Sequence, residues 1–379
     1  MQHLAAAWVA LELVGSPLAA AAVWAARTLP IVVLSIPAGI VADRFDRRLI
    51  MLGSTLTGAT ASATLAILAV YGALDLRWLL VISLVGGVAN AMEIPSFTTY
   101  VGQLAGRHLP TAIALNGVAF NVARVVGPAI GGMLLATSGA AVVFAVNAAS
   151  YLAFAAVLVS LRGVRRPARS AVVIGFRAAT RLIGRDARLV LLLALLAVHT
   201  LATLMSLTLA VPFALDLELG ASGAGAMMAA GGAGAIVALA LVAGRATQPG
   251  RGKRLLVGGL VCAAGQWSLS MSDTLPAAMV TMAVAIGGMV AVTSMSNATL
   301  QMICPPELRG RLMGLYALVV PGLAPFAALG AGAVADRIGV AMTLQIGALA
   351  WAAAIVLVAL AAAPFRQLDG RALELPRLD

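Results

Sequence analysis

Apolar residues run along this chain in blocks of helix length, separated by short polar turns. The first block, Leu4–Val14, ends at Gly15-Ser16-Pro17. The second runs from about Pro17 to Val41 with Pro30 and Pro37 inside it, and the third covers about Leu49–Tyr71. The outer turn Gly72–Arg77 leads to a fourth at about Trp78–Gln103, and the loop Gly106–Pro110 to a fifth and sixth at about Thr111–Ala136 and Ala140–Leu161. After a basic stretch the plan repeats near Leu189–Phe213, Ser222–Ala243, Leu255–Met271, Pro276–Ile303, Leu312–Ala335 and Val340–Pro364. A helix rises about 1.5 Å per residue and the hydrocarbon core is about 30 Å thick, so such blocks predict helices that cross a bilayer, about twelve of them. The first block is the exception. Its length corresponds to about 21 Å of helix, too little to span. Met1–His3 has no basic residue and Glu12 lies inside the apolar run, so the block does not read as a signal peptide.

Composition agrees with the blocks. Hydrophobic residues make up 62% of 379 positions, charged residues 10%, and mean hydropathy is +1.03. Soluble domains carry about 25% charged residues. An all-α polytopic membrane protein is therefore expected, and the net charge of +11 reports loop orientation and contact with anionic lipid rather than nucleic acid. Of the 25 Lys and Arg, all but Arg27, Arg77, Arg124 and Arg337 fall in segments on one face if the 39–48 turn is cytoplasmic. The opposite loops carry Asp75, Asp216, Glu218, Asp273 and Asp336. The reverse orientation would place the arginines on the wrong face. Cys262 and Cys304 do not make a disulfide framework, and no phosphate-binding glycine loop, metal-ligand spacing or Ser/His/Asp cluster occurs. Enzymatic or ATP-driven chemistry, a cofactor and a metal are thus not expected.

Charges inside membrane helices are expensive and mark candidate functional positions. Four fall there: Glu12, Arg27, Glu93 and Arg124, all in the first half. The second half offers neutral groups such as His199, Gln266, Asn297 and Gln301. Counting residues from the helix ends puts Glu93 about 22 Å from the outer face, with no cation at its depth. Arg124 falls in the outer half, where Glu12 is the better depth match, and Arg27 lies near the midplane. A fixed ion pair and a substrate or coupling role stay open for Arg124. A functional role is favoured for Glu93, and an interhelical hydrogen bond for His199.

The turn between the second and third blocks reads Gly39-Ile-Val-Ala-Asp43-Arg44-Phe-Asp46-Arg47-Arg48. It resembles the G-x-x-x-D-R-x-G-R-R loop of the major facilitator superfamily, with Gly39, Asp43, Arg44, Arg47 and Arg48 matching. Asp46 stands where the second Gly belongs, and it is expected to take the left-handed turn in its place. Gly127-Pro128-Ala-Ile-Gly131-Gly132 resembles the antiporter motif of that superfamily, a seat for close helix packing. Its expected counterpart is Gly231, Gly232 and Gly234 in the eighth block. Pro30, Pro37 and Gly39 are likewise expected to face Pro321, Gly322 and Pro325. The opening segment and Ala89–Pro95 are similar to the enterobactin-exporter-like branch, in which an acid stands at the position of Glu93; Phe97-Thr98 departs from that branch.

The two halves also align on each other. An offset of 206 places Ser16 on Ser222, Asp46 on Gly252 and Arg48 on Arg254, and an offset of 198 places Gln103 on Gln301. Internal repeats of this kind are usual in secondary transporters. The expected organisation is a six-helix half at 1–161, a basic linker at 162–188 with an interfacial amphipathic helix, a second half at 189–364 and a tail at 365–379. The resemblance implies a major facilitator fold and a proton-coupled exporter of small amphipathic molecules, drugs or siderophore-like metabolites, monomeric, in the cytoplasmic membrane. It also implies a native N-terminus longer than this chain and a cytoplasmic gate at Asp43 and its arginines. An importer on the same fold and a non-transporting sensor or inactive paralogue remain alternatives.

Overall fold

The structure is a computed structural model that describes residues 1–161, 184, 186–243, 245, 248–305, 308–361 and 363–368. Among them every regular element is helical. These are α1 (Gln2–Val14), α2 (Pro17–Arg44), α3 (Arg47–Val70), α4 (Leu76–Ala105), α5 (Leu109–Ser160), α6 (Ala187–Thr203), α7 (Ala210–Asp216), α8 (Gly220–Val242), α9 (Arg251–Ser270), α10 (Leu275–Ile303), α11 (Arg309–Ile338) and α12 (Val340–Ala361). Nine described helices are long and apolar enough to cross a membrane. The difference from twelve has three sources. α5 carries two expected crossings joined without a loop at Gly139 (φ 78°, ψ 174°), α1 has 13 residues, and α9 opens on Arg251, Lys253 and Arg254. The expected amphipathic helix at 162–188 lies almost wholly outside the described residues, and most of the tail does too.

Local chemistry sets the helix boundaries. Gly15 ends α1 in the left-handed region (φ 68°), its N–H donating to Leu11 O at 2.7 Å. Pro17 opens α2 at the first position, where its missing N–H costs nothing. Asp46, Asp75 and Asp186 cap α3, α4 and α6, their carboxylates accepting from the backbone N–H of Arg48, Trp78 and Arg188. The cap at Asp46 corrects an expectation. Asp46 is extended (φ −68°, ψ 117°), not left-handed, because its side chain is spent on the N-terminus of α3. Its repeat partner Gly252 is helical, and the left-handed residue there is Gly250 (φ 89°).

The chain forms two compact units. The first comprises Met1–Ala168, Thr208–Ala229 and Ala328–Val340, and the second comprises Arg169–Leu207, Ala230–Ala327 and Ala341–Asp379. In the first, α2 packs along α4, and α3 lies against α4 and α5. In the second, α9 packs along α10, and α6 joins α10. The core of the second unit is large and apolar, with Leu189, Leu192, Leu196, Leu255, Trp351 and Ile355 almost wholly buried.

Glycines fix where helices meet, and they are not all the expected ones. In the first unit a side chain at Gly132 would meet Ala221 O at 2.6 Å and Gly225 Cα at 2.7 Å, and one at Gly225 would meet Pro128 O at 2.6 Å. The Gly-Pro-x-x-Gly-Gly motif does seat α8, but against Gly225. Gly231 and Gly234 instead receive α10 in the second unit, at Ile286 and at Ala283, whose O occupies the place a Cβ on Gly234 would take. α2 and α11 meet in the first unit at Gly332, which abuts Leu18 and Ala21, while Pro30 packs against Gly87 of α4.

Candidate functional site

In the first unit the site is built on Arg27 of α2. Small residues make room for it: Gly86 lies against its guanidinium, and Gly87 against its backbone carbonyl and Pro30. Arg27 Nη2 donates to the Tyr151 hydroxyl at 3.3 Å. Tyr151 reaches in from α5 because Gly58 of α3 leaves space; a Cβ there would stand 2.9 Å from the phenol ring. Arg27 Nε is buried without a hydrogen-bond partner among the described residues.

Glu93 stands six residues beyond Gly87 on α4, about 9 Å along the axis. It makes no ion pair with Arg27 within 4 Å and no hydrogen bond among the described residues. The carboxylate is half-buried and unbonded.

Glu12 and Arg124 do not meet. Trp8 Nε1 donates to Glu12 Oε1 at 2.6 Å, and the Arg124 guanidinium lies over the Phe120 ring, 5.8 Å from its centroid. Each is satisfied four residues away on its own helix. A polar cluster that sequence reasoning missed lies nearby: Asn147 Nδ2 donates to Gln2 Oε1 at 2.8 Å and to Ser62 Oγ at 2.9 Å.

At the 39–48 turn Arg48 closes the end of α5. Its Nε donates to Leu158 O at 2.7 Å and its Nη2 to Val159 O at 2.6 Å, satisfying terminal carbonyls that lack helical partners. Gly39 lies in α2 with open space around it, and Arg44 is exposed at the helix end. The side chain of Asp43 lies outside the described residues. At another end of the same unit Asp336 accepts from Ser16 Oγ at 2.7 Å and from Leu18 N at 3.3 Å, placing a carboxylate on the positive N-terminus of α2.

The second unit carries its polar groups differently. His199 Nε2 bonds the Met289 carbonyl at 3.3 Å, and the ring packs edge-on to Trp351 with centroids 4.5 Å apart. That is the interhelical role expected of it. Gln266 is buried and fully used, donating to Ala202 O and Leu344 O at 3.0 Å and accepting from Ser206 Oγ at 3.1 Å. One face of α10 remains open. Thr293, Ser294, Asn297, Ala298, Gln301 and Met302 line a largely open cavity of about 560 Å³, together with Arg309 and Tyr316 of α11. The spacing i, i+1, i+4, i+5, i+8, i+9 is one helical stripe, a signal present in the sequence. Among the described residues no group of His, Cys, Asp and Glu could hold a metal ion.

The apolar helices long enough to cross a bilayer define a multi-pass membrane protein. The profile of the transmembrane secretion effector family of the major facilitator superfamily matches residues 1–374, and the chain belongs to this family. It is 27% identical over 384 residues to the multidrug efflux pump Tap of Mycobacterium tuberculosis, covering 96% of this chain and 89% of that one. Shorter matches are 31% identical over 171 residues to Tap of Mycolicibacterium fortuitum and 28% over 137 residues to the staphyloferrin A transporter of Staphylococcus aureus. These span only 42% and 34% of those relatives' lengths. Among solved structures, a D-xylose–proton symporter superposes with a TM-score of 0.76 at 15% identity, covering 98% of this chain and 95% of that one. A bacterial homologue of the human lysosomal transporter Spinster gives 0.65 at 16% identity, over 97% and 94%. At such identities the likeness is one of fold.

Proposed function

We propose that this transporter exports small amphipathic molecules, drugs or siderophore-like metabolites, in exchange for protons by alternating access. The observation that carries the reading is Glu93: a half-buried carboxylate in a membrane helix, bonded to no other described group. An unbonded intramembrane acid can take a proton at one face and release it at the other without first breaking a salt bridge. Relatives named as a multidrug efflux pump and a staphyloferrin A transporter support the substrate class.

In this reading the halves at 1–161 and 189–364 exchange access through the cytoplasmic membrane as a monomer. The basic stretch at 162–188 rests on anionic headgroups. Gly39, Asp43, Arg44, Arg47 and Arg48 form the inner gate. Gly127, Pro128, Gly131 and Gly132 keep the crossing with α8 close while access alternates.

The test is flux in vesicles with an imposed pH gradient. Wild-type protein should drive cargo out against its concentration gradient. Glu93→Gln should lose the gradient-driven component by at least about tenfold while keeping downhill exchange. Equal gradient-driven flux in the two proteins removes Glu93 from the coupling step, and gradient-driven uptake reverses the direction assigned here.

A further inference from the structure

The cavity on α10 is built as a relay. Arg309 Nε donates to Gln301 O at 3.0 Å and Gln301 Nε2 donates to Asn297 Oδ1, and Tyr316 of α11 lines the same space. These bonds tie the end of α10 to the start of α11 and hold three side chains in the wall of a single space.

The groups left over set the chemistry. A guanidinium has five N–H donors, and the structure spends one of them, from Nε. The terminal nitrogens of Arg309 have no partner among the described residues, and the side chain is exposed at the cavity edge. The Tyr316 hydroxyl lines the same cavity and can donate or accept a hydrogen bond. Among the described residues no acidic one lines the cavity. The space therefore offers a cation at Arg309 and a phenol hydroxyl at Tyr316. Arg309 and Tyr316 are seven residues apart on α11, which separates them by about 10 Å along the axis.

We infer that this cavity is the cargo seat of the second unit and that it selects a soluble molecule with a carboxylate at Arg309 and a second hydrogen-bond acceptor about 10 Å away at Tyr316. A bidentate guanidinium–carboxylate contact supplies the charge preference, and the hydroxyl-bearing stripe of Thr293 and Ser294 lines the path between the anchors. A volume of about 560 Å³ suits a small molecule of this length. The word cargo rests on the transport reading above. The seat and its charge preference do not.

Three probes sharing one fluorophore test it: dansylglycine (carboxylate), dansylglycinamide (neutral) and dansylcadaverine (cation). They are titrated into the full chain in a neutral detergent. Dansylglycine should bind about tenfold tighter than dansylcadaverine, as expected for a charge-assisted pair. Arg309→Gln should shrink that preference to within about twofold, and Tyr316→Phe should weaken dansylglycine several-fold while keeping the preference. If Arg309→Gln is not monodisperse, Arg309→Lys decides instead: it retains the anion preference but loses affinity with the fork. Equal or tighter binding of dansylcadaverine to wild type, or an unchanged preference in Arg309→Gln, overturns the proposal. Displacement of dansylglycine by short-chain phosphatidylglycerol but not by acetylglycine assigns the same chemistry to a lipid headgroup and overturns the cargo assignment. Intact selectivity with no gradient-driven flux retires the export reading and leaves the seat standing.

Discussion

Arg27 in the first unit and Gln266 in the second show two ways of keeping a polar side chain among apolar helices. Gln266 is buried with its amide fully used, tying together α6, the turn after it, and α12. Arg27 reaches one weak partner, Tyr151 at 3.3 Å, and keeps a buried Nε unbonded. A fully paired group holds a structure in place, because any movement breaks bonds that water is not there to replace. An under-paired charge can change partners at little cost. The difference predicts rigidity at the Gln266 knot and freedom to change partners at Arg27.

The sharpest way to break this contrast is to remove the charge. Arg27→Gln should leave folded yield near wild type and reduce gradient-driven flux by at least about tenfold. A collapse of folded yield with normal flux per molecule would make Arg27 a structural group. Gln266→Leu should do the opposite. Three orphaned partners cost about 1–3 kcal/mol, read as a lower unfolding midpoint in detergent, with flux per folded molecule unchanged. Smaller effects are expected at the caps. Asp336→Asn keeps the Ser16 contact but removes the charge from the start of α2, a loss of about 0.5–1 kcal/mol, which cysteine accessibility near Ser16 would register as increased exposure.

The smallest effect is a pH dependence at Asp186. Burial opposes its ionisation, but hydrogen bonds from the Arg188 side chain and backbone and the Arg188 charge outweigh this and hold its carboxyl below the usual range. A depressed folded pKa stabilises the fold above the unfolded value of about 3.9, and this contribution is lost as pH falls through the folded one. Hydrogen exchange at the start of α6 should therefore quicken in acid below about pH 4, and Asp186→Asn should remove that dependence.

Much of this was legible in the sequence because the bilayer allows so few solutions. Most helix-length blocks and the close seat at Gly-Pro-x-x-Gly-Gly were legible, while the turn expected over 39–48 shrinks to Phe45 and Asp46 because α2 runs on to Arg44. What failed was partner choice. In α8 the run Gly-Ala-Ser-Gly-Ala-Gly-Ala-Met-Met-Ala-Ala-Gly-Gly-Ala-Gly-Ala places a small residue on almost every turn, so composition cannot tell which turn α5 will meet. Gly225 and not Gly231 is found there because the crossing angle and height, not the residue type, choose among equivalent seats. The pairing weighed for Glu12 and Arg124 was missed for a different reason: Trp8 and Phe120, each four residues back on the same helix, take up the two charged groups.

The join at Gly139 bears on how the protein can be handled. Its φ of 78° with ψ of 174° belongs to a region of backbone space that is essentially glycine's alone, and the chain turns there without spare residues. An epitope or fluorescent reporter inserted at this point would force apart the two arms it joins. The turn at Gly72 to Asp75 has slack to absorb one, between the end of α3 and the cap of α4. Antibody fragments raised against the outer surface should find a loop to grip after α3, and at Gly139 only the crest of a bend.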